Sequence, residues 1–271
     1  MSAASSTIPV RLRTAFISDV HLGTKECRAD LLLDFLQHVQ VETLVLVGDI
    51  VDLRSMSRSF FWPQSHLNVL RAILSKARHG TRVIYIPGNH DAAFRELVGS
   101  VFGHLEIHRE YVHRTADGRE LLVLHGDEFD SMVKCSRWLA GLGVWTYDLL
   151  LWLNRYVNVL RRAFGFPYWS LAAYVKARIS NAVQYINNFE SAGAFAARRR
   201  EMDGVVCGHI HRSKVALIDG VLYCNDGDWV ENCSTLVENI NGHLTLWHWA
   251  EQRERLARMH ALAHPEIDRA A

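Results

Sequence analysis

The stretch TAFISDVHLG, residues 14–23, is an apolar run that ends in Asp19 and His21. Its first five residues have the composition of a buried strand, and the polar pair follows where that strand would stop. The same grammar recurs at residues 43–52 (TLVLVGDIVD), 82–91 (RVIYIPGNHD), 121–127 (LLVLHGD) and 205–211 (VVCGHIH). Strands are therefore predicted at 14–18, 43–47 and 82–86. Between the first three, residues 28–39 place Leu31, Leu32, Phe35, Leu36 and Val39 on one helical face, and residues 64–77 do the same with Leu67, Leu70, Ile73 and Leu74. Strand and helix in alternation predict a parallel sheet built from βαβ units, an α/β fold.

Beyond Asn89 the rhythm shortens. Strands are expected at 105–108, 111–113, 121–124, 205–207, 215–218, 221–224, 235–238 and 244–249, with turns at Asp117-Gly118, Asp219-Gly220 and Asn241-Gly242. The last half-dozen of these strands read as antiparallel, and two sheets packed face to face accommodate the count. Residues 1–13 read as a tail, 14–250 as one domain, 131–200 as a helical insertion within it, and 251–271 as a terminal helix or tail.

The chain has 271 residues, 49% apolar and 22% charged, which excludes a fibrous or disordered protein. A net charge of +1 gives no global attraction to nucleic acid, so no nucleic-acid partner is expected. The charge is nevertheless uneven: residues 131–200 hold ten basic residues against two acids, together with Trp138, Trp145, Trp152 and Trp169. A basic, aromatic helical segment suits an anionic amphiphile or an anionic membrane surface. Five scattered cysteines without C-x-x-C spacing argue against a disulfide framework and fit a reducing cytoplasm. The N-terminal residues lack an apolar signal region, and residues 138–153 are shorter than the ~20 residues that span a bilayer.

The side chains after the strands are metal donors: Asp19, His21, Asp49, Asn89, His125, His209 and His211, with His90 and Asp91 beside Asn89. In D-x-H and H-x-H the i, i+2 spacing of an extended segment points both donors the same way. Nitrogen and oxygen donors without thiolate suit Mn²⁺, with Fe²⁺ or Zn²⁺ as alternatives, and the set is too large for one tetrahedral zinc. Two ions with a carboxylate between them fit better, and such pairs activate water and clamp phosphoryl oxygens.

The order D-x-H, GD, GNHD, H, GH-x-H resembles the calcineurin-like metallophosphoesterase superfamily from Phe16 to about His211. The resemblance implies a four-layer αββα sandwich in which Asp19, His21 and His211 hold one metal, Asn89, His125 and His209 the other, and Asp49 bridges both. It also implies that His90 faces the substrate phosphate as a catalytic group, with Asp91 orienting it. Within the superfamily, FISDVHLG, the HGD block and the aromatic insertion before GHIH are similar to the UDP-2,3-diacylglucosamine diphosphatases of lipid A biosynthesis. That resemblance implies cleavage of a UDP-linked acylated sugar to UMP and a lipid 1-phosphate, with the insertion as a lid. It further implies a lipid-linked substrate and peripheral contact with the cytoplasmic face of the inner membrane. Many of those enzymes read GNRD where this chain reads GNHD, which keeps open another lipid-linked or soluble nucleotide substrate.

Lys176, Arg178 and Asn181, on one expected helix, are candidates for contacting the sugar or diphosphate, because basic side chains at the lid rim pair with phosphate oxygens. Asp52 and Asp127 read either as acids steering a ligand histidine or as caps. The seven-residue spacing of Trp138, Trp145 and Trp152 reads equally as a packing seam or a lipid-facing stripe. Arg198 to Arg200 reads as a solvated helix end, and Cys207 as a buried, inert thiol. The remaining histidines, His113 among them, read as ordinary core or surface residues. A non-catalytic scaffold on this fold, as in a retromer-type subunit, is disfavoured because every catalytic position is filled.

Overall fold

The structure, a computed structural model, describes residues 10–131, 156–158, 161 and 180–263. Strand β1 (Val10–Ile17) pairs in parallel with β2 (Val39–Leu46), and β2 with β3 (Arg82–Tyr85). The crossovers are helix α1 (Ala29–His38) and the pair α2 (Leu53–Met56) and α3 (Gln64–Arg78). Leu32, Phe35 and Leu36 of α1, spaced one turn apart, are buried against the sheet with Val69, Ile73 and Ala77 of α3. Both β1 and β2 start four residues before their expected positions. Val10 and Leu12 pair with Val39 and Val41, so tertiary pairing takes residues that local pattern assigned to a tail and a helix end.

Strands β4 (Val101–Phe102) and β5 (Leu105–Ile107) extend one edge of this first sheet. The second sheet begins with β6 (Tyr111–Arg114) and β7 (Glu120–Val123), followed after the insertion by β8 (Gly204–Cys207), β9 (Lys214–Ile218) and β10 (Val221–Asn225). The chain then returns to the first sheet with β11 (Ser234–Glu238) and β12 (Leu244–His248). The sheets run β12-β11-β1-β2-β3-β5-β4 and β6-β7-β8-β10-β9. The last strands are not all antiparallel as expected: β8 pairs in parallel with both β7 and β10. The long excursion through the insertion supplies the crossover that a parallel β7–β8 pair requires.

Helix α4 (Ser180–Arg199), the end of the insertion, packs Ile186, Phe189 and Ala197 on the outer face of the second sheet. Helix α5 (Trp249–Ala263) docks on the first sheet's side through the fully buried Trp249, whose indole N–H donates to Asp34 at 2.8 Å. Between the sheets lie Phe16, Val45, Ile84, Leu121, Val123 and Val206. The result is the expected helix–sheet–sheet–helix layering.

One polar junction ties the two sheets together. Buried Glu238 of β11 accepts from Thr14 Oγ1 (2.8 Å), Arg13 (2.6 Å) and the Ala116 amide (2.7 Å), and lies 2.8 Å from His113 Nε2 of β6. Burial opposes its charge, but His113 and the donors around it hold its pKa at about 2.

Candidate metal centre

Five donor residues sit in backbone conformations that L-residues rarely adopt. Asp19, His21, Asp49, His209 and His211 have φ of 49°, 53°, 52°, 69° and 51°. Such strain persists where surrounding structure imposes it. Here the imposition is visible: the amides of Val20 and His21 donate to the Asp49 carbonyl at 3.0 and 2.9 Å, fastening the loop after β1 to the loop after β2. The glycines before the donors have a reason too. A Cβ on Gly88 would lie 2.3 Å from Asp49 Oδ1, and one on Gly208 would lie 2.4 Å from Asp19 Oδ2. GN and GH occur because the donor carboxylates occupy that space.

The loops converge their side chains. Asp19, His21 and His211 form one group of donor atoms within 4.8 Å of one another; Asp49, His125 and His209 form a second, and His21, Asp49 and His90 a third. Asp49 Oδ2 lies 4.0 Å from His21 Nε2 and 3.4 Å from His125 Nε2, between the first two groups. Asn89 Oδ1 stands 3.3 Å from His125 Nε2. The far nitrogens are anchored: His125 Nδ1 to the Val47 carbonyl at 2.8 Å, and His21 Nδ1 to Asp52 at 3.0 Å. Each anchor turns the Nε2 inward, as an oriented metal ligand requires.

Burial disfavours charge on Asp19, yet the imidazoles of His211, His125 and His21 hold its carboxyl far below the usual range. Asp49 behaves alike, at about 2, with His125 as its main stabiliser. Burial also opposes protonation of His125, but Asp49 and Asp19 raise its pKa well above the ordinary value. Carboxylates this deep demand positive charge beside them. Asp19 Oδ1 and His21 Nε2 are buried without a hydrogen-bond partner and face each other at 3.9 Å. A cation held between them would satisfy both, so the donor set fits divalent metal ions.

A model of the family described as calcineurin-like phosphoesterase matches residues 12–213. The chain belongs to that family. Its chemistry is metal-dependent phosphoester hydrolysis, and all seven expected ligands of this calcineurin-like phosphoesterase fall inside the matched span. No curated protein matches the chain. Similar solved structures include an archaeal phosphodiesterase (13% identity, 86% of this chain and 98% of that one, TM-score 0.44). The phosphoesterase Yfce from E. coli is similar at 14% identity over 87% and 98% (TM-score 0.42). A single-mutant Vps29 from Entamoeba histolytica is similar at 14% over 86% and 89% (TM-score 0.43).

The expected partner of His90 differs from the observed one. Asp91 accepts from the Ile50 and Gly88 amides at 2.8 and 2.6 Å and from the Tyr85 hydroxyl at 2.6 Å, so it braces loops rather than His90. His90 Nδ1 instead lies 2.9 Å from Asp52 Oδ2, an ion-pair distance. Burial opposes protonation of His90, but Asp52, with Asp49 behind it, raises its pKa. Asp52 also caps α2, accepting from the Ser55 amide at 2.6 Å, so both readings of that residue hold. Asp127 receives two 2.8 Å bonds from Arg95, which also reaches the Pro87 carbonyl, clasping the GNHD loop to the HGD loop.

Three residues near the site were not singled out from sequence. Ser18 Oγ stands 2.6 Å from both Asp19 Oδ2 and the buried Asp226 Oδ1. Asp130 lies 3.0 Å from His209 Nε2 and accepts from the Tyr185 hydroxyl of α4 at 2.5 Å. Nothing local signals Asp226 or Asp130. Lys176 and Arg178 lie outside the described residues, as do the tryptophans of the insertion. Asn181 falls in the first turn of α4.

Proposed function

We propose that the protein is a dinuclear hydrolase that cleaves the diphosphate of a UDP-linked acylated sugar, releasing UMP and a lipid 1-phosphate. The observation that supports the lipid-linked substrate is the junction of insertion and centre, where Tyr185 of α4 reaches Asp130, which lies 3.0 Å from His209. An insertion coupled there, basic and aromatic through its length, suits a lid over an anionic amphiphile. In this reading Asp19, His21 and His211 hold one ion, Asn89, His125 and His209 the other, and Asp49 contributes to both. Bound divalent ions supply Lewis acidity toward phosphoryl oxygens and activate water. Mn²⁺ is the proposed ion.

The chain's own groups do the rest. Asp52 holds His90 Nδ1, leaving Nε2 to carry a proton toward the leaving oxygen, a contribution of roughly 10²–10⁴ in rate. The Arg95 clasp fixes the loops bearing Asn89 and His125 relative to one another. The proposed setting is the cytoplasmic face of an anionic membrane; no helix among the described residues is long and apolar enough to cross one. Lys176, Arg178 and Asn181 are proposed substrate contacts.

The His90–Asp52 pair favours a second reading, a phosphodiesterase or pyrophosphatase for another lipid-linked or soluble nucleotide, because it suits any ester whose leaving oxygen needs a proton. Turnover of UDP-2,3-diacylglucosamine with Mn²⁺, compared with the deacylated substrate, separates the two. Release of UMP at a KM that falls with acyl length supports the lipid; equal KM with and without acyl chains replaces it with the second reading.

A further inference from the structure

The GHIH turn carries a ligand for each of the two ions, and both residues hold a left-handed backbone, with φ of 69° at His209 and 51° at His211. Inside the turn, the Ile210 amide donates to the Gly208 carbonyl at 2.9 Å. What holds its ends comes from further along the chain. Asn225, buried at the end of β10, donates from Nδ2 to the Gly208 carbonyl at 2.7 Å. Asn232, half-buried in the loop that follows, donates from Nδ2 to the His211 carbonyl at 3.0 Å. The first and last carbonyls of the turn are thus pinned by two asparagines, and both lie beyond residue 213, where the family match ends.

The loop that presents Asn232 is itself braced. Asp228 Oδ1 accepts from the amides of Val230 (2.8 Å), Glu231 and Asn232 (3.1 Å), and Asp228 Oδ2 accepts from Asn232 Nδ2 at 2.5 Å. Both amide hydrogens of Asn232 are therefore committed, one to the brace and one to His211; a carboxylate of the same shape has none to give. Trp229 is fully buried beside Phe35, with ring centroids 5.6 Å apart, and its amide donates to the Asp19 carbonyl at 3.1 Å. One braced loop thus grips the backbone of Asp19 and of His211, whose side chains meet at 3.2 Å. Asn225 grips instead the residue before His209, on the side of the other ion.

We propose that Asn232 is a positioning residue for the ion held by Asp19, His21 and His211: by fixing the His211 carbonyl it keeps that residue left-handed and its imidazole beside Asp19. The inference rests on the reading in which His209 and His211 serve different ions. Without the Asn232 amide, His211 relaxes toward an ordinary backbone conformation and its ion loses a placed ligand. The ion at His209 keeps its own, because Asn225 still pins the other end of the turn.

The test is Mn²⁺ titration of the full chain against a fluorescent chelator, with each ion isolated in turn: H209A leaves the ion of Asp19, His21 and His211, and H211A leaves the other. Adding N232A should weaken the ion that remains in H209A about tenfold and change the one that remains in H211A less than twofold. Equal weakening of both ions, the mark of a merely structural residue, overturns the proposal, and so does no change in either. If N232A is not recovered folded, N232L, which fills the space without a donor, goes through the same titration; recovery of neither overturns the proposal and makes the loop a structural joint. A wild type that binds no Mn²⁺ removes the dinuclear reading, and the positioning role with it, before any variant is made. A wild type with two ions that N232A weakens alike removes the positioning role alone.

Discussion

Among the described residues, two places bury a carboxylate opposite a histidine, and they solve the problem differently. At the sheet junction, Glu238 gathers Thr14, Arg13, the Ala116 amide and His113. At the strand ends, Asp19 Oδ1 and His21 Nε2 are left without hydrogen-bond partners although both are buried. A buried charge completed by the protein is a structural joint, whereas buried donors that face each other unfinished mark a place for something brought from outside. Backbone follows the same division: the left-handed residues Asp19, His21, Asp49, His209 and His211 are at the second place, and Glu238 lies in ordinary strand.

The contrast breaks most sharply at Asp49. Asp49→Asn should cost activity more than the ~10²–10³ of losing a single neutral transition-state donor, with metal stoichiometry falling, because an amide compensates two cations poorly. Metal analysis that finds two ions in an active Asp49→Asn variant would erase the distinction. His90→Ala should lower kcat by roughly 10²–10⁴ at unchanged metal content. If that variant loses an ion, His90 belongs among the ligands, consistent with its grouping beside His21 and Asp49.

Asp52→Asn tests the reach of the centre, since one carboxylate orients both His21 and His90. Metal affinity should weaken about 10–100-fold, read by competition with a chromogenic chelator. Unchanged affinity would confine Asp52 to His90 and the cap of α2. Chelation alone should lower the thermal midpoint of the wild type, because ions that bind the folded state stabilise it by mass action.

The smallest effect belongs to the joint. A carboxylate depressed to about 2 contributes stability that is complete above its unfolded pKa near 4.3 and is lost as pH falls through 2. Glu238→Gln should therefore flatten the loss of stability between pH ~4.3 and ~2 in urea titrations while leaving kcat at neutral pH within about twofold. A variant that keeps the wild-type acid slope would show that another acid controls it.

Much of this was legible because the donor motifs are local: a strand, a glycine, then a donor, repeated along the chain. The glycines in GN and GH are readable for the same reason, since Gly88 and Gly208 clear space for carboxylates. What escaped is what distance decides. The parallel direction of β8 depends on β7, which lies across the insertion. His90 takes its partner from Asp52 rather than from its neighbour Asp91, because the loop turns Asp91 toward the Ile50 amide and Tyr85. Asp226 reaches Ser18 across 208 residues, and no pattern near either announces it.

The pairing of β1 with β11, Thr14 against Glu238, also sets a timetable. During synthesis at ~5–20 residues per second, β1, β2 and β3 can associate early, but β11 follows β1 by roughly 10–45 seconds. For that interval one side of β1 is an open sheet edge, the kind of surface that recruits strands from other chains. Arg11 and Arg13 stand on that strand, and positive charge on an edge discourages such pairing. Arg13 would thus serve twice: as a guard on the nascent chain, and afterwards as the ion-pair partner of Glu238 once β11 arrives.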